Sequence, residues 1–440
     1  MTSRIAVLFP GQGAYLPGVL AERASHFPGA MEVLETVDKV AGEHGHEPIS
    51  PLLLDLDAPP LEDLLEQSAD RLDLAIYAIN AAAYEILLGL GLRADVLVGH
   101  SFGEFAALSA AGAVSVADVA RMACSRTDAF HRANPGDGGL VALGVPAWRA
   151  RHIVGLLDDP NLHLAIDNGP GQTVVSGPLP SLGRVEELAV GLGLRATRLR
   201  AGYAFHNPLL HGAGDIFRRS TADVRLTEPR TPVFSPVLGR HVRTAQDARD
   251  VIERNMVAPV RFYDGLLSLF RAGTTTFVEA GARQALTGIV KSSLPPSALA
   301  IPLLPSRGDM ARVKSSVTEA GFFVDWAPPV REDRGTDAAA KTPADQDKAA
   351  QPEPEKEPLP DREKVVRELA EMYAEELGFP VEMLTADIDI EADLGVDSMK
   401  QLALFQRVRR QYGIGEPPPE HRARATTLDK IAALVEEQLR

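Results

Sequence analysis

The chain has 440 residues, enough for two to three domains, and a hydrophobic content of 45% that suits a real core. A net charge of −15 argues against nucleic acid or an anionic membrane surface as a main partner. The one cysteine, Cys124, excludes an internal disulfide and a cysteine-based metal centre and fits a reducing cytoplasm; no metal site is expected.

The first segment, MTSRIAVLFPGQG, breaks into a turn too early for a signal peptide, and no run of about 18 apolar residues predicts a membrane span. A buried strand is predicted over 5–9, followed by a glycine turn at Gly11 and Gly13. Turns after the first strand are where α/β folds place ligands. A dinucleotide fingerprint would need a third glycine where Leu16 stands, so a nicotinamide site is rejected. The turn is read instead as a source of backbone N–H groups. Helical periodicity over 75–90 leads to a short apolar strand over 96–98 and then to Gly99-His100-Ser101-Phe102-Gly103, with a small-residue helix over 103–111.

This is a G-x-S-x-G elbow. Glycines flank the serine because side chains would clash on so sharp a strand-to-helix turn. The turn exposes the hydroxyl and aims the next N–H groups at the same point, where they meet charge developing on an attacked carbonyl. An ordinary glycine-rich βα turn is the bland alternative, and the strand before and helix after favour a nucleophile. A serine needs a base. His206, in YAFHNPLL, is the best of several candidates because Asn207-Pro208 fixes a turn behind it; His44, His46, His152, His163 and His241 lie in polar or helical surroundings and read as surface residues.

Further along, a helix is predicted over 118–130, strands over 140–145, 162–166 and 173–176, a helix over 182–192 and a strand over 276–278. Strands alternating with helices imply an α/β domain with a largely parallel sheet, and the 140–192 segment suggests a smaller inserted subdomain. Near Ala327 the composition changes to Pro, Ala, Glu, Asp and Lys with almost no large apolar residues, so 327–360 is read as a flexible linker between a domain 1–326 and a small domain 361–440. The small domain has amphipathic periods over 362–377, 398–412 and 427–439, a compact helical bundle. Glu368 to Asp397 contains no Lys or Arg, which makes an acidic face. Arg407, Arg409 and Arg410 read as a solvated helix face.

Six segments, FPGQGAY, GHSFGE, AIDNGPGQTVVSG, YAFHNPLL, APVRFYDGL and FVEAGARQALTGIVK, together resemble the malonyl-CoA:acyl carrier protein transacylases and the acyltransferase domains of polyketide synthases. They occur in the family's order and cover nearly all of 1–290. The resemblance implies an α/β-hydrolase-like core with a small ferredoxin-like insert at about 133–200. It implies Ser101 as the acyl-accepting nucleophile, His206 as its base, and the N–H groups of Gln12 and Phe102 as the oxyanion hole. It makes Arg126 the partner of the free carboxylate of a malonyl-type group, matches Asn168 and Gln172 to an NSPGQ-like segment with Asn168 counted as substrate-binding, and aligns Asn255, also counted as substrate-binding, where the family often has a glutamine whose backbone carbonyl orients the histidine. The chemistry is coherent: a thioester's leaving thiol has a pKa near ~8.5, so a Ser-His dyad without a buried aspartate suffices. A guanidinium fork suits a carboxylate.

The chain departs from the family at Asp73-Leu74-Ala75, where QPA is usual, so that an acidic residue either reshapes the pocket or faces solvent. Tyr203-Ala204-Phe205-His206 mixes the malonyl-type HAFH and methylmalonyl-type YASH patterns. Phe205 narrows the space beside the α-carbon, and Phe102 stands where methylmalonyl enzymes often have glutamine; malonyl-CoA is therefore the expected donor and a substituted malonyl group the alternative. In the small domain, DIDIEADLGVDSMKQLALF resembles the phosphopantetheine attachment region of acyl carrier proteins, and the wider string looks most like carrier domains of polyunsaturated fatty acid and enediyne-type synthases. Ser398 would carry covalent 4′-phosphopantetheine at a helix N-terminus. Asp397 would serve the phosphopantetheinyl transferase, and the acidic face would dock polyketide synthase components. The expected function is acyl transfer from coenzyme A through Ser101 to a carrier thiol in polyketide or fatty acid biosynthesis. The rivals are a thioester hydrolase or editing enzyme, and a non-enzymatic carrier scaffold.

Overall fold

The computed structural model describes residues 4–305 apart from Glu22, and, in the C-terminal part, 362–377, 381, 384–390, 404–405, 407–409, 411–412, 414 and 426–439. The chain divides into two compact units, Met1–Asp333 and Arg334–Arg440. The expected linker, 327–360, lies outside the described residues.

The first unit is built on two sheets. Strands β1 (Arg4–Phe9), β2 (Val96–Gly99), β3 (Gly138–Leu143), β4 (His163–Gly169), β5 (Gln172–Pro178), β6 (Ala196–Leu199), β7 (Val233–Ser235), β8 (Arg240–Val242), β9 (Val260–Arg261), β10 (Thr274–Ala282) and β11 (Leu299–Leu304) follow one another in the chain. The larger sheet runs β11-β10-β1-β2-β7-β8 and is parallel except for β8, which turns back on β7. Its centre is fully buried: Ala6, Val7, Leu8, Phe9, Leu97 and Val98 have no exposed surface, as expected for a parallel sheet covered on both faces. Pro302 lies in β11 at the sheet edge, where a missing N–H is tolerated.

The smaller sheet runs β6-β3-β5-β4-β9 and is antiparallel through its first four strands. In chain order these form strand-helix-strand-strand-helix-strand, with the helices Ala147–Leu157 and Leu179–Gly191 between them. The helices close a separate small core around Val141, Leu143, Ile153, Val175, Leu182 and Val185. β9 arrives from far along the chain and pairs with β4, tying the insert to the larger body. None of β6, β7, β8, β9 or β11 is among the strands expected from sequence. The first four are only two to four residues long, too short for a period to show, and β11 carries the proline.

The helix Leu72–Gly89 is long and apolar enough to cross a membrane by length and composition alone. Asp73, Asn80 and Glu85 interrupt its apolar run, and no membrane span is expected from the sequence. Leu74 to Ile79 are fully buried, and the helix packs against β10, the position of a core helix.

In the second unit the helices Arg362–Leu377 and Leu428–Leu439 pack around Leu369, Tyr373, Val408, Leu428 and Val435. Arg362 Nη2 is 2.9 Å from Asp429 Oδ2. Of the third expected helix, the described residues 404–405, 407–409 and 411–412 are helical. Arg407 and Arg409, expected on a solvated face, are half-buried and partnered.

Candidate active site

The elbow forms as its residues dictate. β2 ends at Gly99, paired in register with Phe9 of β1, and the helix Gly103–Ala110 starts four residues later. A Cβ on Gly99 would stand 2.2 Å from Glu104 Cα, and one on Gly103 would stand 2.0 Å from the Phe9 carbonyl oxygen. Only glycine permits this close crossing. Ser101 itself sits at φ 56°, a left-handed conformation that costs a non-glycine residue about 1–3 kcal/mol and is typical of strained functional positions. Glu104 fastens the elbow helix to β7: Ser235 Oγ donates to its Oε2 at 2.8 Å and the Val237 N–H to its Oε1 at 2.9 Å. Burial pushes the Glu104 carboxyl up to about 8.

His206 leaves the insert on a second left-handed residue, φ 59°, and its N–H donates to the Met256 carbonyl at 2.8 Å. Its Nδ1 lies 2.9 Å from the Ala258 carbonyl oxygen, and its Nε2 lies 2.6 Å from Ser101 Oγ. A carbonyl only accepts, so Nδ1 carries the proton and Nε2 is the acceptor that receives the serine O–H. Burial lowers the imidazole pKa to about 3, against the upward pull of the Ala258 carbonyl and, more weakly, of the Asn255 carbonyl. His206 is therefore neutral and ready to take a proton.

The Gln12 and Phe102 N–H groups are not taken up by the turn and cap hydrogen bonds around them. A Cβ built on Gly11 would lie 3.4 Å from Ser101 Cβ and 3.7 Å from the Phe102 nitrogen, so the first glycine turn comes directly against the elbow. The turn is held by Asn80, whose Nδ2 donates to the Pro10 carbonyl at 2.8 Å, and by Arg283, whose Nε donates to the Tyr15 carbonyl at 3.1 Å. Donors beside a serine and its base have the chemistry needed to hold an oxyanion.

Beside the dyad lies a cluster of aromatic rings. Tyr203 stacks on Phe130 at 4.4 Å between centroids, and Phe205 meets Phe130 edge-on at 5.5 Å. The Arg126 guanidinium carbon lies 4.7 Å from the Phe205 ring centroid, 5.0 Å from Phe130 and 5.2 Å from Phe102. Nη1 of Arg126 donates to Asp73 Oδ2, while Gln12 Nε2 donates to Asp73 Oδ1 at 2.7 Å.

Residues 27–320 match the family model described as acyl transferase domain, and residues 367–435 match the one described as phosphopantetheine attachment site. The chain belongs to the acyl transferase domain family. It is 31% identical over 332 residues to the spectinabilin polyketide synthase system protein NorB of Streptomyces orinoci, covering 73% of this chain and 15% of that protein. It is 30% identical over 292 residues to the polyketide synthase GfsA of Streptomyces halstedii, covering 66% of this chain and 4% of the relative. Among solved structures it is similar to the acyltransferase domain from the second module of the salinomycin polyketide synthase, with TM-score 0.65, 28% identity and coverage of 76% and 77% of the two chains. It is also similar to MCAT from Streptococcus pneumoniae, with TM-score 0.62, 26% identity and coverage of 71% and 100%. The phosphopantetheine attachment domain makes 4′-phosphopantetheine the covalent cofactor of the second unit.

Within this acyltransferase domain the structure brings together Ser101, His206, Gln12, Phe102, Arg126, Tyr203, Phe205 and Asn255. Asn255 meets the dyad in two ways: its backbone carbonyl bonds His206, as expected, and its side chain reaches the elbow. The carbonyl 2.9 Å from His206 Nδ1 belongs to Ala258, and the Asn255 side chain donates from Nδ2 to the Ser101 carbonyl at 2.9 Å. Its amide thus steadies the strained elbow. Asn168 meets the dyad only indirectly: His100 Nε2 donates to its Oδ1 at 2.8 Å and its Nδ2 donates to Gln172 Oε1 at 2.7 Å. His100 Nε2 is thereby occupied, while His206 Nε2 is the ring nitrogen at Ser101 Oγ. None of the five histidines read as surface residues is buried. Ser398 and Asp397 lie outside the described residues. Sequence reasoning missed the clamp by Glu104, the brace by Asn80 and the pairing of Asp73 with Arg126. A buried-type acid inside an apolar helix was the available signal for the last.

Proposed function

We propose that the chain takes an acyl group from a coenzyme A thioester onto Ser101 and passes it to the phosphopantetheine thiol of its own carrier domain or another. The observation that carries this reading is the 2.6 Å contact from Ser101 Oγ to a neutral, oriented His206 Nε2, next to two unpaired N–H groups. His206 takes the serine proton as Oγ attacks the thioester carbonyl. The Gln12 and Phe102 N–H groups hold the oxyanion, and His206 returns the proton to the departing CoA sulfur. For the second half-reaction His206 stands in the same place to deprotonate an attacking thiol. The cofactor supplies that thiol when bound, and Ser398 is the residue to which it would be esterified, by a phosphopantetheinyl transferase.

The strand-helix-strand-strand-helix-strand insert, read as ferredoxin-like, supplies His206 at its exit, so that the dyad is assembled between two lobes of one unit. The second unit is read as a helical-bundle carrier. The donor expected from sequence is malonyl-CoA, with a substituted malonyl group as alternative; in either case the free carboxylate would have to meet Arg126 in company with Asp73.

The test is a time course on the full chain carrying phosphopantetheine, mixed with a panel of acyl-CoAs and followed by mass on Ser101 and Ser398. Acyl mass appears on Ser101 first and on Ser398 second, and Ser101→Ala abolishes both. Loading of Ser398 that survives Ser101→Ala would show that the dyad is not the route. Release of free acid at an unchanged rate with and without carrier thiol would identify a hydrolase.

A further inference from the structure

Asp73 lies in the first turn of the helix Leu72–Gly89 and Arg126 lies midway along the helix Val116–Ala133. Both are buried, with 6% and 3% of their surface exposed. Their side chains form an ion pair under the rings of Phe102, Phe130 and Phe205. The Asp73 carboxylate is held from both sides, by Arg126 Nη1 on one oxygen and by Gln12 Nε2 on the other. It is therefore fixed by two different elements and is not a side chain resting loosely over the cation. Arg126 Nε is buried with no hydrogen-bond partner.

The electrostatic balance follows. Arg126 and Asp73 together carry no net charge, and the surrounding rings keep water from screening them. An acyl group with no charged end meets an already neutralised cation walled by aromatic rings. An acyl group with a free carboxylate brings a second negative charge to a guanidinium already shared. Two carboxylates against one buried cation leave an uncompensated charge, and they repel each other at close range.

We propose that Asp73 is a specificity-determining residue: it stands in the place of a substrate carboxylate on Arg126 and directs this site toward short acyl groups that lack a free carboxylate. This rests on the reading of Ser101 and His206 as the acyl-transfer dyad. Tyr203 and Phe205, packed on Phe130, wall the same ion pair with aromatic rings. Removing the charge at position 73 while keeping an amide carbonyl for Gln12 frees the guanidinium and leaves the oxyanion turn in place.

The test is competitive loading of the full chain with equimolar butyryl-CoA and malonyl-CoA, read by intact mass as the ratio of the two acyl-Ser101 species. The ratio is independent of how much of each preparation is folded. The native chain is expected to favour butyryl by about tenfold or more. Asp73→Asn and Asp73→Gln are each expected to move the ratio toward malonyl by about tenfold or more, and adding Arg126→Ala to Asp73→Asn is expected to cancel that gain. Preferential malonyl loading of the native chain overturns the proposal, and so does a ratio that neither substitution moves. Both outcomes leave the acyl-transfer reading intact. Failure of Ser101 to load from either thioester overturns that reading and the proposal with it.

Discussion

Ser101 and His206 share an unusual backbone property: each is a non-glycine residue held at positive φ, 56° and 59°. Each is over-determined by neighbours. The Asn255 side chain holds the Ser101 carbonyl, and the Met256 and Ala258 carbonyls hold His206 at its N–H and at Nδ1. The strain is thus maintained by hydrogen bonds from one segment, 255–258, that touches both members of the dyad. His206→Ala should slow Ser101 acylation by about 10²–10⁴-fold, the usual contribution of a positioned general base. Burial lowers the His206 pKa from 6.5 to about 3. The base-competent neutral form therefore persists as pH falls, and the acidic limb of kcat/KM for acylation should lie well below 6.5. A limb at 6.5 or above, in a pH profile of acyl-enzyme formation, would contradict the buried, carbonyl-bound imidazole. Ser101 was legible from its elbow motif, whereas spacing left His206 only the best of several histidines and Arg126 stood out only through the family resemblance. The side-chain partners of Arg126 and Asn255 were not legible, because each lies more than fifty positions away.

At the scale of elements, the elbow is a joint between β2 and the helix Gly103–Ala110, and Glu104 ties that joint to β7. Its carboxyl is raised from 4.5 to about 8. The folded state therefore holds a proton on Glu104 that the unfolded state has lost between those values, so this group's contribution to stability is full below pH 4.5 and is lost as pH rises toward 8. Glu104→Gln imitates the protonated acid. It should remove that fall in thermal stability between pH 5 and pH 8 while keeping acylation, because the Ser235 hydroxyl can rotate to accept from the amide. Glu104→Ala leaves the Val237 N–H and the Ser235 hydroxyl unpaired and should destabilise by about 2–4 kcal/mol in denaturant titrations. The long helices and the central strands were readable from periodicity and apolar runs. The short strands β6 to β9 were not, since pairing with β3, β2, β7 and β4 rather than local propensity makes them strands.

At the scale of the whole molecule, each unit has its own hydrophobic cluster, one around the two sheets and one around Leu369, Tyr373 and Val435. Independent cores predict separable damage. Leu369→Ala, at a fully buried position, should destabilise the second unit by about 2–5 kcal/mol and leave the rate of Ser101 acylation unchanged. The check is a melting curve paired with an acyl-enzyme assay on the same preparation. An equal loss of acylation would show that the two units unfold as one. The chain spans 15% of the length of NorB.

What the sequence by itself determined is the chemistry available: an elbow serine between obligatory glycines, a histidine on a turn, an arginine in a helix, and a second unit with the character of a carrier. These are legible because local geometry demands particular residue types, glycine where a Cβ would strike a backbone 2.0 Å away above all. Only the tertiary structure decided how the charges are spent. Asp73 and Arg126 lie on different helices, 53 residues apart, and nothing local to either says that they meet. Folding brings them together because both helices bury those positions beneath the same aromatic rings, and a buried cation takes the nearest buried anion. That meeting bears on which acyl group the serine receives.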